Sequence, residues 1–167
     1  MKRKILMICI IFCLPFISTS LFAETDILGW GKAKWGMTLS QIAKLYDIKG
    51  LGVRGEHYAC ELKEKIKIQG HDFIVIFWFD EPSPSGKLYQ VTLVAQEKIS
   101  DSNMFRSVLG LLIEKYGKPD SYQLKSFSKT SLWLKTSGQL EFKTSIPEDT
   151  VYCAIEYTAV GSDADKL

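Results

Sequence analysis

Two histidines, His57 and His71, are the only imidazoles in the 167-residue chain. Zinc binding or nucleophilic catalysis would need one of them beside a Cys, a carboxylate or an activated hydroxyl. In Glu56-His57-Tyr58-Ala59-Cys60 a strand points alternate side chains to opposite faces, so His57 and Cys60 diverge. His71 stands beside Asp72 in a turn. The segment Gly50-Leu51-Gly52-Val53-Arg54-Gly55 has the form G-x-G-x-x-G. A dinucleotide site needs a strand before that motif and a helix after it. Here a helix precedes and a strand follows, so the glycines read as a turn. The carboxylate pairs Asp80-Glu81 and Glu148-Asp149 both lie beside prolines in loops, where such pairs are usually solvated. No G-x-S-x-G elbow is present. The expectation is a non-enzyme with no catalytic residues, no metal site and no cofactor.

The remaining candidates are binding residues. Lys63, Lys65 and Lys67 recur at strand spacing and form a basic ladder, diluted by Glu61 and Glu64. Trp30 and Trp35 flank a Gly-rich entry segment, and aromatic side chains are enriched at interfaces. These five residues are the candidate interaction surface. Trp78 lies inside an apolar run and reads as core. Trp133 alternates with Leu132 and Leu134 and either covers a helix or sits on an open sheet face.

What positions these residues begins after a leader. Lys2-Arg3-Lys4, the apolar run Ile5–Ile17 and Ser18-Thr19-Ser20 read as a signal peptide over 1–23. Cleavage after Ala23 is expected, with a cut after Ser20 as the alternative. The apolar run is broken by Pro15 and falls short of the roughly 20 residues of a membrane span. The mature chain is therefore not expected to be an integral membrane protein. Loss of the leader lowers Lys+Arg from 21 to 18 against 19 acidic residues, so the formal charge falls from +2 to −1. No basic footprint for nucleic acid survives. A periplasmic or secreted location is expected, with an envelope protein as partner. The leader carries Cys9 and Cys13, which leaves Cys60 and Cys153. One pair in an exported chain suggests a Cys60–Cys153 disulfide, two buried thiols being the alternative.

Thr38 with Gln41 forms the frame of a capping box, and Met37 with Ile42 that of a hydrophobic staple. A short helix is expected over 39–46, followed by a Gly50-Gly52-Gly55 loop. Residues 57–69 alternate and read as one half-buried strand. Phe73 to Phe79 is apolar throughout and reads as a central strand covered on both faces. A third strand is expected over 88–97. Phe105, Val108, Leu109, Leu112 and Tyr116 mark a helix over 102–116, closed by Gly117 and Pro119. Strands follow over 121–159, with a turn at Ser137-Gly138 and a disordered tail over 160–167. The fold class expected is α+β: an antiparallel sheet with helices on one face. Residues 24–159 form one domain, with a candidate tandem α-βββ repeat of halves 35–98 and 99–159.

Gly36-Met37-Thr38-x-x-Gln41-Ile42 resembles the helix start of the small outer-membrane-protein assembly lipoprotein family. The element order is similar to the β-lactamase inhibitor protein type of exported domain. The sequence departs from the lipoprotein pattern in lacking a Gly-x-Pro after the first helix; Gly117-Lys118-Pro119 follows the second. The resemblance implies an exported α+β fold in the cell envelope and carries over no partner and no site. The function expected is a protein-interaction or envelope-maintenance module, the alternative being a small-molecule or lipid-binding periplasmic domain.

Overall fold

The computed structural model describes residues 26–98, 103–125, 128–145 and 150–161. The leader, Glu148-Asp149 and most of the expected tail lie outside the described residues. An entry arm holds two short paired strands, β1 (Gly29–Trp30) and β2 (Ala33–Lys34). Helix α1 (Leu39–Leu45) starts at Thr38, whose N–H donates to the Gln41 side chain at 2.8 Å, the Gln41 half of the expected capping box. It stops at Tyr46, where the backbone turns extended.

A meander follows: β3 (Ile48–Arg54), β4 (His57–Leu62), β5 (Ile66–Ile68), β6 (His71–Phe79) and β7 (Leu88–Lys98). Helix α2 (Asn103–Tyr116) leads into a second meander of β8 (Ser121–Lys125), β9 (Ser128–Leu134), β10 (Gly138–Ser145) and β11 (Thr150–Ala159). All pairings are antiparallel, in the order β3-β4-β6-β7-β11-β10-β9-β8, with β5 attached to β6 off this path. The last strand of each meander meets the other at the centre, with Leu93 opposite Ile155 and Val91 opposite Tyr157. The result is a sheet-dominated antiparallel fold with two helices.

Alternation along the strands builds the core. Phe73, Val75, Phe77 and Phe79 are fully buried on β6, as are Leu140 and Phe142 on β10. Helix α2 adds Met104, Val108, Leu112 and Tyr116 at four-residue spacing, one stripe of the helix. Phe105 stacks on Phe142 with centroids 5.3 Å apart, and Tyr46 at the end of α1 meets Phe77 at 5.4 Å. Gly117 closes α2 with φ +81°, and its carbonyl accepts a 2.8 Å bond from the Trp133 indole. Trp133 is therefore core and holds the helix end; it is not on an open face.

Several expectations are corrected. Gly50 to Arg54 is strand, not loop: β3 pairs β4 through a bulge between Gly50 and Gly52, with Gly52 at φ +77°. The glycines serve the bulge and the hairpin. The expected strand over 57–69 breaks after Leu62, so Lys63 and Lys65 leave the sheet and the lysine ladder does not form. Trp78 lies opposite Ala59 and Gln90, on the face away from Phe77, and is half-buried rather than core.

The Cys60–Cys153 disulfide does not form; both residues are buried thiols. Topology separates them. Cys60 lies opposite Phe77, Phe77 opposite Val91, and Val91 opposite Tyr157, four residues beyond Cys153. Three strand spacings sideways and four residues along amount to roughly 20 Å. A disulfide needs Cα atoms within about 7 Å. Burial pushes the Cys60 thiol up to about 12, which keeps it protonated and unreactive.

Peptide mapping after thiol alkylation without reductant is expected to find Cys60 and Cys153 protected in the native protein and modified once it is denatured. Failure of both to label after denaturation would restore the disulfide. Trp133→Phe deletes the donor to Gly117 and opens space in the core, so denaturant unfolding is expected to lose about 1–3 kcal/mol.

Candidate functional site

Strand register assigns every side chain to one of two sheet faces. The face away from Phe77 carries Ile74, Ile76 and Trp78 from β6, Gln90, Thr92 and Val94 from β7, and Ala154, Glu156 and Thr158 from β11. It continues through Gln139, Glu141 and Lys143 of β10. On β6 the burial alternates: Phe73, Val75, Phe77 and Phe79 are at 0% exposure, while Ile74, Ile76 and Trp78 are only half-buried. Small residues floor the centre of this face, with Ala154 and Thr158 buried under their neighbours.

Hydrogen bonds hold the larger side chains in place. The Trp78 indole donates to the Thr92 hydroxyl at 3.1 Å, and the Gln90 amide donates to the same oxygen at 3.1 Å. Lys143 reaches Glu156 across the β10–β11 pair at 3.0 Å and Glu141 along its own strand at 2.9 Å. Burial pulls the Lys143 ammonium down, but the hydrogen bonds to Glu141 and Glu156 outweigh it, and its pKa ends above the ordinary lysine value. The cluster keeps one carboxylate charge in excess. Such an arrangement presents apolar and aromatic surface with fixed polar points.

The residues singled out from sequence lie elsewhere and are not brought together. Trp30 packs edge-on against Phe77 at 6.0 Å and tilted against Tyr46 at 5.9 Å, closing the end of the core. The Trp35 indole donates to the Ile27 carbonyl at 2.7 Å. Lys63 pairs with Asp47 at 2.7 Å and Lys67 with Asp72 at 3.1 Å, while Lys65 is exposed. The open-face residues were missed because Phe73 to Phe79 is apolar on both faces. The alternation of Glu141 and Lys143 with Leu140 and Phe142 was the available signal.

His57 faces the Tyr89 ring at 5.0 Å, and its Nδ1 is buried without a hydrogen-bond partner among the described residues. Burial, and then the charge of Asp80, push the Tyr89 phenol up to about 12, so it remains a neutral hydroxyl. Among the described residues no three His, Cys, Asp or Glu side chains group as metal ligands. Among them, too, no helix is long and apolar enough to cross a membrane.

The entry arm is latched at a second place. Asp26 accepts from the Ser137 hydroxyl at 2.7 Å and from the Ser137 N–H at 3.1 Å. These bonds, against a smaller opposing effect of burial, hold its carboxyl below the ordinary value of 3.8. A shallow hollow of about 260 Å³ beside the latch is lined by Asp26, Leu134, Lys135 and Thr136. A lowered carboxyl pKa stabilises fully above the unfolded value of 3.8 and loses its contribution as pH falls through the lower folded value. Asp26→Asn is therefore expected to lower the melting temperature at neutral pH and to flatten its decline in acid. An unchanged acid limb would remove Asp26 as its source.

Comparison with protein-family models, curated proteins and solved structures returns no match to this chain, so the assignment of the site rests on its own residues.

Proposed function

We propose that the chain is an exported, non-enzymatic protein-interaction module of the cell envelope. In this reading it is an α+β unit whose two helices cover one face of the sheet and whose other face docks a partner protein. The helix placement is supported by two ring contacts: Tyr46 with Phe77, and Phe105 with Phe142. Register runs from Phe77 through Val91 and Tyr157 to Leu140, and Phe142 lies two residues further along the same face. Export is supported by the leader pattern over residues 1–23.

One observation carries the proposal. The same strands bury one face completely and on the other leave Trp78, Ile76 and Val94 half-buried around fixed polar groups and small buried residues. A sheet face of this composition resembles the core of a protein interface, where aromatic and aliphatic surface is mixed with satisfied polar groups. The alternative, a lipid or metabolite held between sheet and helices, needs space that Phe73, Val75, Phe77, Met104 and Val108 already occupy.

A photo-crosslinking residue placed at Ile76 or Val94 is expected to capture one envelope protein reproducibly in intact cells, while the same residue at Lys65 captures none. Capture from Lys65 alone would move the interface off the sheet and overturn the proposal. Ile76→Lys, which sets a cation opposite Glu61, is expected to abolish capture from Val94, and circular dichroism checks that the variant folds.

A further inference from the structure

The two ends of the sheet are finished differently. At one edge, β3 is broken by the bulge between Gly50 and Gly52 and carries Lys49 and Arg54. Bulges and charges are the usual protection of an edge against pairing with another chain. At the other edge, β8 has unbroken register with β9, from Ser121 opposite Leu132 to Lys125 opposite Ser128. All five of its residues are exposed, with Tyr122 at 51% and Leu124 at 67%. Among the described residues no strand pairs its outer side. Alternate backbone groups of an edge strand point outward and need a partner or water.

The sequence of β8 is complementary to itself. If two copies pair antiparallel about a two-fold axis through Gln123, Tyr122 of each lies opposite Leu124 of the other, and Ser121 opposite Lys125. Aromatic–aliphatic pairs are favourable across strands, and this register opposes no like charges. A register centred on Lys125 would oppose lysine to lysine. Tyr122 and Leu124 share the sheet face of Ser131 and Phe142, so the pair would cover the apolar surface β8 leaves exposed.

We propose that β8 is a self-pairing edge and that the partner it takes is a second copy of this chain. A two-fold axis at this edge stands perpendicular to the sheet, so the pair forms one continuous sheet with the Trp78 faces of both copies on the same side. The molecule is already joined this way internally, since β7 and β11 are the terminal strands of two meanders paired antiparallel. Five residues a side is small against a standard interface of about 800 Å² per partner, so monomer and dimer exchange at micromolar protein.

Sedimentation velocity on the purified chain over a concentration series tests this. The wild type is expected to shift from monomer to dimer as concentration rises. Tyr122→Lys with Leu124→Lys sets lysines opposite one another and is expected to give monomer throughout. Tyr122→Glu with Leu124→Lys sets opposite charges across the same register and is expected to restore the dimer, more weakly at high salt. Gln123→Cys is expected to crosslink two copies through that position under mild oxidation, and circular dichroism checks that each variant folds. A wild type that stays monomeric throughout, or a dimer that survives the double-lysine change, overturns the proposal. Neither outcome bears on capture from Ile76 or Val94, so this inference and the docking face fail independently.

Discussion

The antiparallel pairing of β7 with β11 joins everything else in the molecule. Each meander is a run of hairpins whose neighbours are close in sequence, and each could form its local pairings alone. The ladder between them, from Thr150 opposite Lys98 to Thr158 opposite Gln90, makes them one sheet. The core face depends on that union. Phe77 and Phe142 belong to different meanders, yet register places them on one continuous surface, against which Tyr46 and Phe105 pack. The face opposite is continuous for the same reason, and the polar cluster of Lys143, Glu141 and Glu156 straddles the β10–β11 pair beside it.

A sheet with one dry face leaves the other to chemistry. Here the half-buried side is neither polar throughout, as a merely solvated face would be, nor greasy enough to resemble a second core. Its aromatic and aliphatic groups are separated by threonines, a glutamine and a lysine held between two carboxylates. Holding these side chains in place before binding reduces the entropy lost on association. That economy suits a recognition surface, and it is what links the fold to the proposed role.

How much of this was readable in advance depended on how far each signal was local. The helices were, because caps and stripes are short-range: Gln41 returns to Thr38, and Gly117 ends the stripe that runs to Tyr116. Hairpin turns such as Ser137-Gly138 were readable for the same reason. β3 was hidden because its glycines suppress the side-chain alternation that marks a strand, although they exist to shape a bulge within it. The face of Trp78 was hidden because a run apolar at every position has no readable phase. The disulfide failed on a third ground. Cysteine counting knows nothing of strand order, and β6 and β7 intervene between Cys60 and the strand of Cys153. The lysine spacing likewise assumed an unbroken strand, and the chain turns away at Lys63.

The latch between Asp26 and Ser137 has a consequence for timing. The two residues are 111 positions apart, so the earliest part of the described chain waits for one of the latest before it has a place to dock. Local hairpins close quickly, whereas a contact of this span must await the assembly of what lies between. In vectorial synthesis the arm would emerge well before the strands it docks on and settle after them. Until then Ile27, wholly buried in the finished molecule, remains uncovered and available to a chaperone.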